Sequence, residues 1–143
     1  MMGLPVGLTA DSAGLSCGYV KRFVQTEDGL MMPELHYDFQ VRVRPPPNKE
    51  IQFHRVRALI QKLKAEGLPV KWVSFDTFQS ADSIQLLRIA GFSTGRLSMD
   101  LTVLPYTVLK TALYQDRVRA PTHEHCVVEL LSLEQNAKTG KID

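Results

Sequence analysis

Three consecutive prolines, Pro45-Pro46-Pro47, separate two regimes of hydrophobic spacing in this chain. Before them, Leu35 to Arg44 alternates. Tyr37, Phe39, Val41 and Val43 fall on one side of an extended chain, and His36, Asp38, Gln40, Arg42 and Arg44 on the other. Proline has no N–H for a sheet ladder, so the strand ends there. After the prolines, Val56, Leu59, Ile60 and Leu63 recur at helical spacing. Asn48 is placed to cap that helix, Gly67 to end it, and Pro69 to prevent its continuation. A fold for this chain must therefore pack a sheet and helices together.

The rest of the pattern extends this reading. Residues 4–10 and 14–24 read as strands around a turn at Asp11-Ser12-Ala13-Gly14. Val70 to Phe75 is a short apolar run, the best candidate for the sheet centre. Ser80 to Ala90 reads as a helix with Ala81, Ile84 and Leu87 inward, closed by Gly91. Phe92 to Met99 reads as a strand. Pro105 suits the first turn of a further helix, with Val108, Leu109 and Ala112 inward. Arg117 to Ala120 reads as an extended link. Glu124 to Ala137 reads as a last helix with Val127, Leu130, Leu131 and Glu134 along one side, and 138–143 as a polar tail. Three opening strands suggest an antiparallel meander, and the later alternation suggests parallel strands with crossover helices. The expected class is α/β, a mixed sheet flanked by helices.

Composition narrows the function classes. With 143 residues, of which 44% are hydrophobic, one domain with a real core is expected. A formal net charge of +2 excludes an overwhelming basic field, although the 17 Lys and Arg can still cluster on one face. Cys17 and Cys126 do not make a disulfide framework and read as packed thiols. No apolar run approaches the ~20 residues of a membrane span. The N-terminus lacks the basic and apolar regions of a signal peptide, so a cytoplasmic protein without a membrane partner is expected. The chain contains no GxxxxGK[ST], GxSxG or GxGxxG motif.

Several side chains are candidates for chemistry. Asp76 follows the apolar run and would lie at the carboxyl end of a central strand, where α/β sheets collect ligands. A carboxylate there needs a partner, either a divalent metal or the N-terminus of the following helix. Spacing leaves both roles open, with Ser80 as the alternative cap. Asp11 is either a turn residue or a second acid approaching Asp76. Asp82 and Asp100 suit helix starts or strand ends, and Asp38 points outward. His123, Glu124, His125 and Cys126 are of metal-ligating type but lack a second ligand pair at zinc spacing. Arg42, Arg44, Arg55 and Arg57, with Lys62 and Lys64, can form a basic surface for phosphates or an ordinary solvated face.

Taken together, "WVSFDTFQSADSIQLLRIAGFSTGRLSMD", "PYTVLKTALYQDRVRAP" and "VVELLSLEQNAKTGKID", with "GLTADSAGLSCGYV" at the start, resemble the C-terminal nuclease domain of bacteriophage terminase large subunits. The resemblance covers nearly the whole chain. It implies a ribonuclease H-like fold and metal-dependent endonucleolytic cleavage of concatemeric double-stranded DNA during packaging, in the cytoplasm of a bacterial host. It implies Mg²⁺ or Mn²⁺ as cofactor, held by carboxylates. Asp76 matches the acid at the end of the central strand, and Asp11 an auxiliary acid of the first hairpin. The implied partners are DNA, the terminase motor domain, the small terminase subunit and the portal. Two acids of the pattern have no match: no carboxylate precedes Asp11, and no Gly-Ser-Lys-Asp-like segment follows "KID". The expectation is thus one nuclease-like domain over residues 1–143, trimmed at both ends, without the motor domain or the last catalytic segment. Its cleavage is expected to be weak or absent. The alternative is an inactive prophage remnant or interaction module that keeps the fold.

Overall fold

The computed structural model describes residues 2–3 (backbone only), 12–76, 81–98 and 102–142. They form a mixed α/β structure. Its elements are β1 (Met2–Gly3), β2 (Ala13–Gln25), β3 (Met31–Val43), α1 (Phe53–Ala65), β4 (Trp72–Phe75), α2 (Ala81–Ile89), β5 (Ser93–Arg96), α3 (Leu104–Tyr114), β6 (Val118–Arg119) and α4 (Glu124–Leu131). The chain divides into two compact units, Met1–Leu15 with Val41–Ser98, and Ser16–Gln40 with Met99–Asp143.

In the first unit the strands hydrogen-bond in the order β5–β4–β1–β2. β4 runs parallel to both β5 and β1, while β1 runs antiparallel to β2. Val73, Ser74 and Phe75 are all buried, the pattern of a strand covered on both faces. α2 packs against β5 and α1. Val56 and Ile60 of α1, Ile84 and Leu87 of α2, and Phe92, Val73, Phe75, Ala13 and Leu15 are its buried apolar side chains among the described residues. Phe75 and Leu87 are 1% and 0% exposed. Each such burial is worth about 1.5–3 kcal/mol. Polar contacts fit this core: Arg57 donates to Ser83 Oγ at 2.8 Å, and Thr94 Oγ1 donates to the Ile84 carbonyl at 3.3 Å.

Both helices of this unit stop as expected. Gly67 and Gly91 have φ of 109° and 93°. In each case the glycine N–H bonds back three residues and the next N–H five, Leu68 to Leu63 and Phe92 to Leu87, both at 3.0 Å. This paired closure requires a left-handed residue, which glycine adopts without a Cβ penalty. The start of α1 differs from expectation. Its N-cap is Gln52, with no side-chain bond, while Asn48 has φ 57° in the turn after the prolines. Asn tolerates that left-handed position, and the Lys49 N–H closes the turn on the Pro46 carbonyl. Ala81 is exposed; the inward position is taken by Ser83, which accepts from Arg57.

In the second unit the order is β2–β3–β6. The short connection at 26–30 makes β2 and β3 an antiparallel hairpin, closed by Thr26 N–H to the Leu30 carbonyl at 2.8 Å. The segment expected as a link contains β6, which runs parallel to β3 with Leu35 opposite Val118. β3 begins at Met31, and its alternation does not produce one buried face. Val41 is exposed, Tyr37, Phe39 and Val43 are half-buried, and the buried residue is Glu34. Alternation decides which side chains share a face; burial needs another element on that face.

The helices of this unit are less covered than expected. In α3 Ala112 is buried and Leu109 half-buried, but Val108 is exposed. α4 stops at Leu131, well before Ala137, and Val127, Leu130 and Leu131 are exposed. Ser132 closes the helix, and the segment after it turns at Asn136 instead of continuing. The Asn136 Oδ1 accepts from the N–H groups of Lys138 and Thr139, at 2.9 and 3.1 Å, a local alternative to helix. An isolated antiparallel bridge then joins Gln135 to Ile142. The strand expected over 4–10 lies outside the described residues.

Candidate functional site

Asp76 follows Phe75 directly at the carboxyl end of β4 and is partly buried. The register sets its neighbours. Met2 and Arg96 stand opposite Phe75, so Gly3 on β1 and Leu97 beyond β5 are level with Asp76. The Leu97 N–H donates to the Phe75 carbonyl at 2.8 Å, extending the pairing to this level. Neither neighbour supplies a carboxylate. Asp11, Ser80 and Asp100 lie outside the described residues. Asp82 is exposed in the first turn of α2, where a negative charge is favourable. Asp38 is exposed on β3, as its alternation implied.

The four candidate phosphate-binding arginines all fall in the first unit. Arg42 donates through Nε to Ser12 Oγ at 2.9 Å, and the half-buried Arg57 is held by Ser83. Arg44 and Arg55 are exposed. Two of the four therefore have structural bonds within their unit, and two face solvent.

The 123–126 cluster has local roles. His123 is the N-cap of α4, its Nδ1 accepting from the Cys126 N–H at 3.1 Å. His125 Nε2 lies 2.8 Å from Glu129 Oε1, one turn on. Among the described residues no group of three or more His, Cys, Asp or Glu could hold a metal ion. Burial, then Asp38, pushes the Cys17 thiol up, and burial, then Glu129, does the same to Cys126. Raised thiols are mostly protonated at neutral pH and are poor nucleophiles.

One polar cluster in the second unit was not singled out from the sequence. Glu34 is buried, with His36 Nε2 at 2.7 Å from Oε1 and Arg22 Nε at 3.1 Å from Oε2. The hydrogen bond from His36 and the Arg22 guanidinium hold its carboxyl below the usual range, against the opposing effect of burial. The Tyr19 ring lies 5.7 Å from that of His36. Arg117, also buried, donates from Nη1 to the Pro33 carbonyl at 2.7 Å and from Nε to Gln115 Oε1 at 2.8 Å. The only advance signal was the i, i+2 spacing of Glu34 and His36, which puts both on one face of a strand. A cleft of about 550 Å³ in this unit is lined by the hairpin turn and the end of α3, including Glu27, Asp28, Tyr114 and Arg117.

No described helix is long and apolar enough to cross a membrane. Against known protein families, curated proteins and solved structures, this chain has no match.

Proposed function

We propose that this chain carries the ribonuclease H-like nuclease fold of a phage packaging terminase, acts on double-stranded DNA, and cleaves it weakly or not at all. The observation that carries the reading is the position of Asp76. It stands at the carboxyl end of a buried strand that is paired parallel on both sides. Ligands of open α/β sheets collect at that end. The finer fold reading is supported by the opening strand, which has an antiparallel hairpin partner on one side and the later strand β4 on the other. Under this reading the partners are the terminase motor domain, the small terminase subunit and the portal.

The described residues do not fit a two-metal centre. Such a centre needs carboxylates from several elements around two ions. Here Gly3 and Leu97 are level with Asp76, and no cluster of three ligating side chains is present among the described residues. Asp76 with Asp11 would make a sparse oxygen set for one Mg²⁺ or Mn²⁺. The same observation favours the second reading, an inactive relative that keeps the sheet as an interaction module.

Two measurements test this. Titration of Mn²⁺ followed by electron paramagnetic resonance should show weak binding that Asp76→Asn removes. Plasmid nicking with Mn²⁺ should stay near background. Absence of Mn²⁺ binding, or binding indifferent to Asp76→Asn, overturns the metal role of Asp76. Robust nicking abolished by Asp76→Ala overturns the weak-cleavage reading.

A further inference from the structure

The charge of the chain is unevenly divided. The first unit holds ten Lys and Arg against five Asp and Glu, a net of +5; the second holds seven against ten, a net of −3. A modest total of +2 thus conceals a basic unit. Polyanions are drawn to such a surface through their phosphates.

Within that unit one aromatic side chain is out of place for a packing residue. Trp72 opens β4, whose other three residues are all buried, yet Trp72 is 61% exposed. Its ring lies against the backbone of Gly95 on β5. A Cβ at Gly95 would sit 2.6 Å from Trp72 Cζ2 and 2.9 Å from Cη2, closer than real contacts allow. The glycine lets the indole rest on the outer strand of the unit, while most of the side chain stays open to water. β4 carries it and β5 supports its ring, so less freedom remains to be lost on binding.

One exposed cation adjoins Trp72 in this basic unit. Lys71 precedes Trp72 and is exposed. Single-stranded nucleic acid is bound by this combination of a cationic surface for the backbone and an exposed aromatic for a base.

We propose that Trp72 is a base-stacking platform for unpaired nucleic acid, with Lys71 and the net positive charge of its unit drawing the phosphates. The site requires neither a metal nor cleavage, so its failure and that of the nuclease reading are separable.

Trp72 is the only tryptophan, so its fluorescence reports the site directly. The test titrates the full chain, in EDTA and low salt, with an oligodeoxythymidine of about 16 nucleotides, the upper end of a single-strand site size. The expected result is saturable quenching that weakens with added salt. A duplex of the same length should quench less. Followed by anisotropy of a labelled oligonucleotide, Trp72→Ala should lose about 5- to 150-fold in affinity, the size of one base stack. Trp72→Phe should lose less. Gly95→Ala keeps the indole but moves it, and should also weaken binding, with circular dichroism confirming the fold. Absence of quenching, equal quenching by the duplex, or a Trp72→Ala chain that binds as tightly as the parent overturns the proposal.

Discussion

In the first unit, Phe75 and Leu87 are shut off from water among Leu15, Val56, Ile60, Val73, Ile84 and Phe92. In the second, the buried described residues are Glu34, Arg117 and a single apolar one, Ala112. Fifteen described large hydrophobics of that unit are exposed, from Tyr19 on β2 to Leu133 after α4. The first unit is therefore organised by apolar area removed from water, and the second by hydrogen bonds between polar groups and backbone. Apolar burial is non-directional and tolerates repacking, whereas a polar network depends on each partner being present. The units should accordingly respond to different perturbations.

The largest expected effect comes from the apolar side of this contrast. Leu87→Ala removes a side chain with no exposure from a packed core and should cost about 2–5 kcal/mol, read from urea unfolding. Leu131→Ala, at a position 83% exposed, should stay within about 0.5 kcal/mol. Comparable costs for the two would mean that the α4 face is covered in solution, and the contrast would fail.

Arg117 tests the polar side. Its guanidinium joins Pro33, 84 residues away in sequence, to Gln115, and its own carbonyl accepts from the Leu35 N–H at 2.7 Å. It follows the C-terminal end of α3, where a positive charge is favourable. Arg117→Ala leaves the Pro33 carbonyl without this donor and should cost about 1–3 kcal/mol. Lysine should not rescue it, because one ammonium does not reproduce the planar fork. Hydrogen exchange should quicken around Leu35 and Val118 and stay unchanged in β4. Equal acceleration in β4 would show that the two units open together.

This difference also explains what could be read in advance. The first unit was legible because its signals are local and redundant. Val56 and Ile60 repeat at helical spacing, Val70 to Phe75 form an apolar run, and Gly67 and Gly91 stand where left-handed closures are needed. The position of Asp76 at a strand end followed from that pattern. The second unit was read less well because its contacts are distant in sequence. Nothing in "QDRVRA" announces that Arg117 will reach Pro33, and nothing in the alternation of β3 says that Glu34 will be buried while Tyr37 and Phe39 are only half-buried. The last helix was overextended because Glu134 keeps the helical spacing of Val127, Leu130 and Leu131, whereas the backbone turns on itself at Asn136. The grouping of positive charge in one unit was invisible for a related reason, since residues 1–15 and 41–98 are brought together only by folding.

The smallest effect expected is a pH dependence located in the second unit. In the folded chain the Glu34 carboxyl is held below its ordinary value, chiefly by the hydrogen bond from His36 and then by Arg22. A carboxyl with a lower value folded than unfolded stabilises the folded state above the unfolded value of about 4.3. That contribution is lost as pH falls through the lower, folded value. Stability of the hairpin should therefore be flat in this respect near neutrality and fall only under acid conditions. Glu34→Gln should be less stable near neutrality and lose less on acidification, so the two pH profiles converge at low pH. The difference should be modest, because the Arg22 side chain is 69% exposed and solvent screens its charge. Asp28 is the control. Its carboxyl is also held low, by the hydrogen bond from Thr26, but it lies exposed in the hairpin turn rather than between strands. Asp28→Asn should leave the acid response of the Glu34 pairing intact when hydrogen exchange is read within β2 and β3. If Glu34→Gln keeps the full acid slope there and Asp28→Asn removes it, the turn and not the buried carboxylate holds this unit's polar network together.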